Sequence, residues 1–177
     1  GGRCGRVGDH GPRPVSDFAN LRDAGARLAP LLADALADLP DPVLLPVLPN
    51  GVPVVLGVLD AWPAEVRALP ATRGDDGVTV SPDADLAGRH VVVLDDGVET
   101  GTVARSAARA LRDVGVASAT LAVPVCPREA LADLALRYDR VVAVARPLVR
   151  RDLAWHYDAF DTVDEQTALR LLAARLP

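Results

Sequence analysis

In the stretch "VVVLDDGVETGTVARS", residues 91–106, an apolar run ends in two adjacent carboxylates and a Thr-Gly-Thr turn follows. Asp95 and Asp96 can accept hydrogen bonds from hydroxyl groups. Thr100, Gly101 and Thr102 open a helical pattern, so unpaired backbone N–H groups, two hydroxyls and the positive helix end gather in one place. That donor set suits a phosphate. Acceptors for hydroxyls beside donors for a phosphate match a sugar phosphate. Acids at a strand end before a threonine cap are also ordinary turn chemistry. The apolar run, acid pair and Thr-Gly at fixed spacing are a rarer combination.

Such residues need a scaffold that holds them at one edge. From Arg89 onward the sequence alternates: a strand over 91–94, a helix over 101–114 stopped by Gly115, a strand over 119–123, a helix over 128–137 and a strand over 140–145. Upstream, 16–36 has helical spacing with Ser16 or Asp17 as N-cap, and Pro30 is expected to kink or divide it. A buried strand over 43–48 closes in Pro49-Asn50-Gly51, and a helix starts near Gly51 with Pro53 tolerated in its first turn. A short strand falls within 64–70. Residues 71–89 read as an exposed polar loop with a small β excursion at 78–80, and a last helix begins near Asp164. Continuous apolar strands alternating with amphipathic helices predict an α/β fold, a parallel central sheet flanked by helices on both faces. In such sheets ligands bind beyond the carboxyl ends of the strands, where Asp95 and Asp96 stand. Residues 1–15 read as a flexible leader or cloning remnant, and 16–177 as one domain with a C-terminal tail.

Composition narrows the function. Half of the 177 residues are hydrophobic and the net charge is −5, which argues against generic attraction to nucleic acid or to an anionic membrane. No apolar run approaches the roughly 20 residues of a membrane span, and no signal peptide is visible. Cys4 and Cys126 are far apart and lack metal-ligand spacing, so free thiols in a reducing cytoplasm are expected. There is no Gly-x-Gly-x-x-Gly and no Walker A sequence. Asp95-Asp96-Gly97 also lacks the Asp-x-Asp that haloacid-dehalogenase phosphatases carry after their first strand.

"VVVLDDGVETG" resembles the phosphoribosyl pyrophosphate motif of type I phosphoribosyltransferases: four apolar residues, two acids, three variable positions, then Thr-Gly. The resemblance runs from about Phe18 to Leu172, with "FANLRDAG" and "AWHYDAF" similar to the flanks of bacterial phosphoribosyltransferase-domain proteins. It implies that Asp95 and Asp96 hold the ribose 2- and 3-hydroxyls. Val98, Thr100, Gly101 and Thr102 would wrap the 5-phosphate, and the amides of Asn50 and Gly51 would face the diphosphate. It further implies Mg²⁺ carried mainly by substrate and water, with Asp95 and Asp96 as its nearest protein oxygens. The expected protein is a cytoplasmic homodimer that transfers phosphoribosyl from phosphoribosyl pyrophosphate to a purine-like or other nitrogen acceptor. Glu99 stands where relatives of the 6-oxopurine class carry a general base, or it is a solvated loop carboxylate. The tail would form a hood in which Trp155 or Tyr157 stacks on a base and Arg146 meets a phosphate or carboxylate; the alternative is an aromatic cluster that packs the tail onto the sheet.

Three departures keep a second reading open. The diphosphate loop has Asn50 where relatives often carry a basic residue, and Thr102 is followed by Val103 where a hydroxyl residue is usual. In the lid region 71–85 the only cation is Arg73, accompanied by Asp75 and Asp76. The alternative is therefore a catalytically weak relative that binds a nucleotide or sugar phosphate as a regulator.

Overall fold

The computed structural model describes residues 16–175; the expected leader, 1–15, and Cys4 within it lie outside the described residues. Seven strands occur among them: β1 (Val43–Pro46), β2 (Glu65–Val66), β3 (Ala71–Gly74), β4 (Gly77–Val80), β5 (His90–Leu94), β6 (Ser118–Val125) and β7 (Arg140–Ala145). Five of them pair in parallel in the order β2-β1-β5-β6-β7. Five helices accompany them: α1 (Leu21–Ala35), α2 (Gly51–Leu59), α3 (Thr102–Val114), α4 (Arg128–Leu134) and α5 (Glu165–Ala173).

The apolar strands are continuous because both faces are covered. Leu44, Val92 and Ala122 point to the face packed by α1, α2 and α5, while Val43, Val91 and Leu121 point to the face packed by α3 and α4. α1 and α2 approach closely. A Cβ added at Gly25 would lie 1.9 Å from the Val54 carbonyl oxygen, so only glycine fits there.

Several boundaries differ from expectation for identifiable reasons. α1 begins at Leu21, not at Ser16, because Asn20 caps it by accepting the Asp23 N–H at 2.8 Å, and the Asp23 carboxylate accepts the Ala19 N–H at 2.9 Å. Ser16 and Asp17 instead engage Asp158 and His156 of the tail. Pro30 does not divide the helix. It is exposed, the Ala26 carbonyl it leaves without a helical donor lies on the same wet side, and the buried stripe from Leu21 to Leu32 is unbroken. The expected polar loop is largely a β3–β4 antiparallel hairpin with Arg73 opposite Val78, turning at Asp75-Asp76 into Gly77 at φ 111°. α4 ends at Leu134, three residues earlier than read, and β6 is three residues longer. No helix among the described residues is long and apolar enough to cross a membrane.

The strand order creates the functional geography. From β1 the chain steps outward to β2, returns to place β5 on the other flank of β1, and then builds outward through β6 and β7. β1 and β5 therefore flank a topological switch point, and the crevice beyond their carboxyl ends is the place where such sheets hold ligands.

Candidate functional site

A cavity of about 360 Å³ opens at that crevice. Asp95, Asp96, Val98, Glu99, Thr100, Gly101 and Thr102 all line it, and Arg73 reaches it from the β3–β4 hairpin. Leu94 is the last buried residue of β5, so the two acids leave the sheet where pairing stops.

The acid pair is held by local bonds. The Asp95 carboxylate accepts the Asp96 N–H at 2.9 Å, and the Tyr157 hydroxyl donates to the Asp96 carbonyl at 2.7 Å. Burial pushes the Asp95 carboxyl well above the usual carboxylate range, and the Asp96 charge adds to it. Burial likewise raises Asp96, while the Arg73 charge draws both down. The pair thus carries an unfavourable charge that a hydroxyl-rich or cationic ligand would relieve. Tyr157 is raised by burial and by these acids, so its hydroxyl keeps the proton it donates.

Beyond the acids, the Val98 N–H donates to the Val125 carbonyl at 2.8 Å, which fastens the loop to the end of β6. From there the bonding stops. Among the described residues, no protein acceptor meets the amides of Glu99, Thr100, Gly101, Thr102 or Val103. Gly101 caps α3 in the left-handed region at φ 83°, a conformation that β-carbon sterics disfavour for other residues. The Thr100 and Thr102 hydroxyls lie 3.1 Å apart, and Arg105 Nη1 donates to the Thr100 carbonyl at 3.0 Å. This turn is an open donor set at the positive end of a 13-residue helix. Glu99 faces the same cavity, with one carboxylate oxygen accepting the Leu153 N–H at 3.0 Å.

Five expected residues do not line the cavity. The Asn50 side chain accepts the Val163 N–H at 3.0 Å and so holds the tail against the start of α2, while its backbone N–H meets no protein acceptor among the described residues. The Gly51 N–H is engaged by the Val47 carbonyl at 2.9 Å, which closes the loop on itself after a cis Leu48–Pro49 bond. Tyr157 is buried between Phe18 and Phe160, at centroid distances of 5.3 and 5.2 Å, with no face free for a base. Trp155 points outward beneath the Arg151 guanidinium, 4.6 Å from its ring centroid, and is not part of the cavity wall. Arg146 is not part of that wall either. His156 is buried against Asp17 at 2.6 Å, and His90 bonds Ser118 at 2.7 Å, so both are structural.

Leu153 and Phe160 are the tail residues that do line the cavity, and they were missed. The sequence marks the tail by its aromatics, but an irregular segment has no period that says which members turn inward. Arg105 was missed too, although its place one helical turn after Gly101 was a usable signal.

No protein-family profile matches the chain. A crystal structure of the Thermus thermophilus protein TT1426 superposes with a TM-score of 0.76 at 23% identity, covering 89% of this chain and 98% of that one. The Leishmania donovani hypoxanthine-guanine phosphoribosyl transferase superposes with a TM-score of 0.56 at 18% identity, over 80% of this chain and 92% of that one. For the Pyrococcus horikoshii purine phosphoribosyltransferase the TM-score is 0.53 at 15% identity, over 77% and 97%. The chain has the type I phosphoribosyltransferase fold. A Mycobacterium tuberculosis protein provisionally named as a phosphoribosyl transferase is 32% identical over 106 residues, which is 60% of this chain. The match spans only 23% of that relative's length. Within this phosphoribosyltransferase fold, the described cavity lies between the carboxyl ends of the two central strands, β1 and β5.

Proposed function

We propose that the cavity binds a 5-phosphoribosyl group and that the chain transfers it from phosphoribosyl pyrophosphate to a nitrogen acceptor, releasing pyrophosphate. One observation carries this reading: a half-buried acid pair and an open N–H turn share a single cavity at the sheet's switch point. Asp95 and Asp96 accept the 2- and 3-hydroxyls, and the amides of the Thr100–Thr102 turn hold the 5-phosphate. The acceptor nitrogen's lone pair forms the bond to the anomeric carbon while the carbon–oxygen bond breaks, its electrons leaving on pyrophosphate. Proximity and stabilisation of leaving charge dominate such a reaction. Arg73 is the one cation lining the cavity among the described residues, so it meets the leaving diphosphate. Glu99, oriented by Leu153, takes the proton that the acceptor nitrogen sheds.

The donor set fits Mg²⁺ delivered with the substrate. Asp95 and Asp96 are hard oxygen donors whose burial disfavours their charge, which a cation beside them would offset. When bound, the ion would neutralise diphosphate charge and polarise the ribose oxygens.

A second reading has its own observation. The Asn50 side chain and the Gly51 N–H are engaged within the protein, so the loop where relatives grip diphosphate offers one open amide, that of Asn50, and no cation. That favours a protein that binds a ribose 5-phosphate moiety without catalysing transfer. Calorimetric titration with phosphoribosyl pyrophosphate and Mg²⁺, followed by a pyrophosphate-release screen over candidate bases, separates the two. Release with one acceptor supports the transferase; tight binding without release over any acceptor supports the second reading. Replacing Asp95 and Asp96 together by Asn should weaken binding by about a hundredfold under either, since both lose charge-assisted bonds to the diol. Unchanged affinity would remove the basis of both.

A further inference from the structure

On the outer side of the Thr100–Thr102 turn lies a second depression, a cleft of about 440 Å³ between β4 and α3. Its charge is opposite to that of the cavity. The cavity is lined by three carboxylates and one guanidinium, the cleft by three guanidiniums and one carboxylate. Thr102 lines both, so the two are neighbours across a single residue.

We propose that this cleft is a binding site for a chain of linked phosphates, distinct from the ribose cavity, and that its occupant fastens the β3–β4 hairpin to α3. Arg105 and Arg109 stand one turn apart on α3, with side chains that neighbour each other on the helix surface, and Arg137 approaches from the turn after α4. Asp133 already engages Arg105 at 3.4 Å and Arg137 at 3.2 Å, which holds those two guanidiniums in place. Arg109 makes no hydrogen bond or ion pair among the described residues, even with Asp113 one turn along the same helix. It is the available donor of the group. Thr102 and Ser106 add hydroxyls to the same wall, and Thr79 adds one from β4.

The cleft is too large for one phosphate and suits two or three in a row, since guanidiniums pair bidentately with successive phosphate groups. In a chain of net charge −5, a concentrated positive wall is a local feature, not a property of the surface at large. A consequence follows for the cavity. Val78, Thr79 and Val80 of β4 form the cleft's other wall, and β4 pairs with β3, which carries Arg73. An anion bridging β4 to α3 therefore steadies the hairpin that presents Arg73 to the cavity.

The test uses inorganic tripolyphosphate as probe, with calorimetry at low salt. Wild-type protein should bind it with an affinity that falls as salt rises. Arg109→Gln should weaken binding by about fivefold or more, and Asp113→Asn should strengthen it by about two- to threefold, because one removes the free donor and the other a repelling charge. A variant that merely loosened the fold would not give the second result. Trypsin cleavage after Arg73 should slow with tripolyphosphate in wild type but not in Arg109→Gln, which also controls for effects on the protease. Nucleoside triphosphates run in parallel identify the source of the phosphates: binding about tenfold tighter than tripolyphosphate points to a nucleotide, and equal binding to the phosphate chain alone. Equal tripolyphosphate affinity of wild type and Arg109→Gln, or hairpin cleavage indifferent to the anion, would overturn the proposal. Neither result depends on what the ribose cavity binds.

Discussion

Two loops leave adjacent strands at the same edge of the sheet, and they are built to opposite ends. β1 and β5 finish in register, Pro46 beside Leu94, and the Val47 N–H reaches the Leu94 carbonyl at 2.8 Å. After β5, the chain leaves a run of amides without protein acceptors and half-buries two carboxylates beside them. After β1, the Gly51 N–H returns to Val47 and the Asn50 side chain holds Val163. The first loop leaves five successive amides open; the second leaves only the Asn50 N–H without a protein acceptor among the described residues and otherwise supports structure. Position at a switch point therefore does not make a site by itself. Unfilled hydrogen-bonding capacity does, because a polar group that already has a partner gains little from a ligand.

The contrast can be pressed from either side. Gly51→Ala attacks the closed loop, since the added Cβ would lie 2.6 Å from the Leu94 carbonyl oxygen and 3.2 Å from backbone atoms of Pro46. Backbone atoms cannot step aside as a flexible side chain would, so the expected cost is about 3 kcal/mol, read as a lower urea midpoint at unchanged slope. A midpoint within error of wild type would mean that the loop is not packed as described. Asn50→Ala is milder. It leaves the partly buried Val163 N–H without its acceptor and should cost about 1 kcal/mol. Affinity for ribose 5-phosphate should stay within about twofold of wild type, because that loop is engaged within the protein rather than with ligand. A large loss of affinity would show that Asn50 touches the ligand after all.

Much of this was legible because the relevant residues are contiguous. The β7 bounds, the Gly115 stop and the start of α2 at Gly51 follow from apolar runs and punctuating residues. Asp95 to Thr102 is one uninterrupted stretch, so its gathering at a strand end needed no knowledge of tertiary contacts. The rest depends on contacts far apart in sequence. The Asn50 side chain's structural part was not foreseen because its partner, Val163, is 113 residues away. Tyr157 was left between stacking on a base and packing the tail, because the ring pair with Phe18 that decides for packing forms only when the tail returns to the front of α1. The short 3₁₀ turn Leu153–His156 aims Leu153 at the cavity and Trp155 at solvent, and nothing in its composition announces that choice. The hairpin was hidden for a different reason: Gly74, Asp75, Asp76 and Gly77 dilute the alternation that marks strands.

The smallest expected effect tests whether the open loop carries the strain attributed to it. Both acids have carboxyls raised by burial, so the folded chain binds their protons more tightly than the unfolded chain does. Stability from this pair is therefore fully present below the unfolded aspartate value of about 3.9 and is lost as pH rises through the raised folded values. Asp38, Asp60, Glu65 and Asp164 have the opposite sign: each is lowered, the first three chiefly by arginine partners and Asp164 by the Thr167 N–H, and each loses stability as pH falls. The wild-type profile mixes both contributions, so the difference between Asp95→Asn and wild type is the quantity to measure. Asn can still accept the Asp96 N–H, which leaves the local bonding intact. Without ligand, the variant should match wild type near pH 4 and exceed it by about 1 kcal/mol near pH 8, the usual size of a gain from relieving a functional-site conflict. A difference that stays flat with pH, or a variant less stable at pH 8, would mean that the acid pair is already compensated within the protein. In that case the open loop would not depend on a ligand to balance its charge, and its contrast with the loop after β1 would rest on the free amides alone.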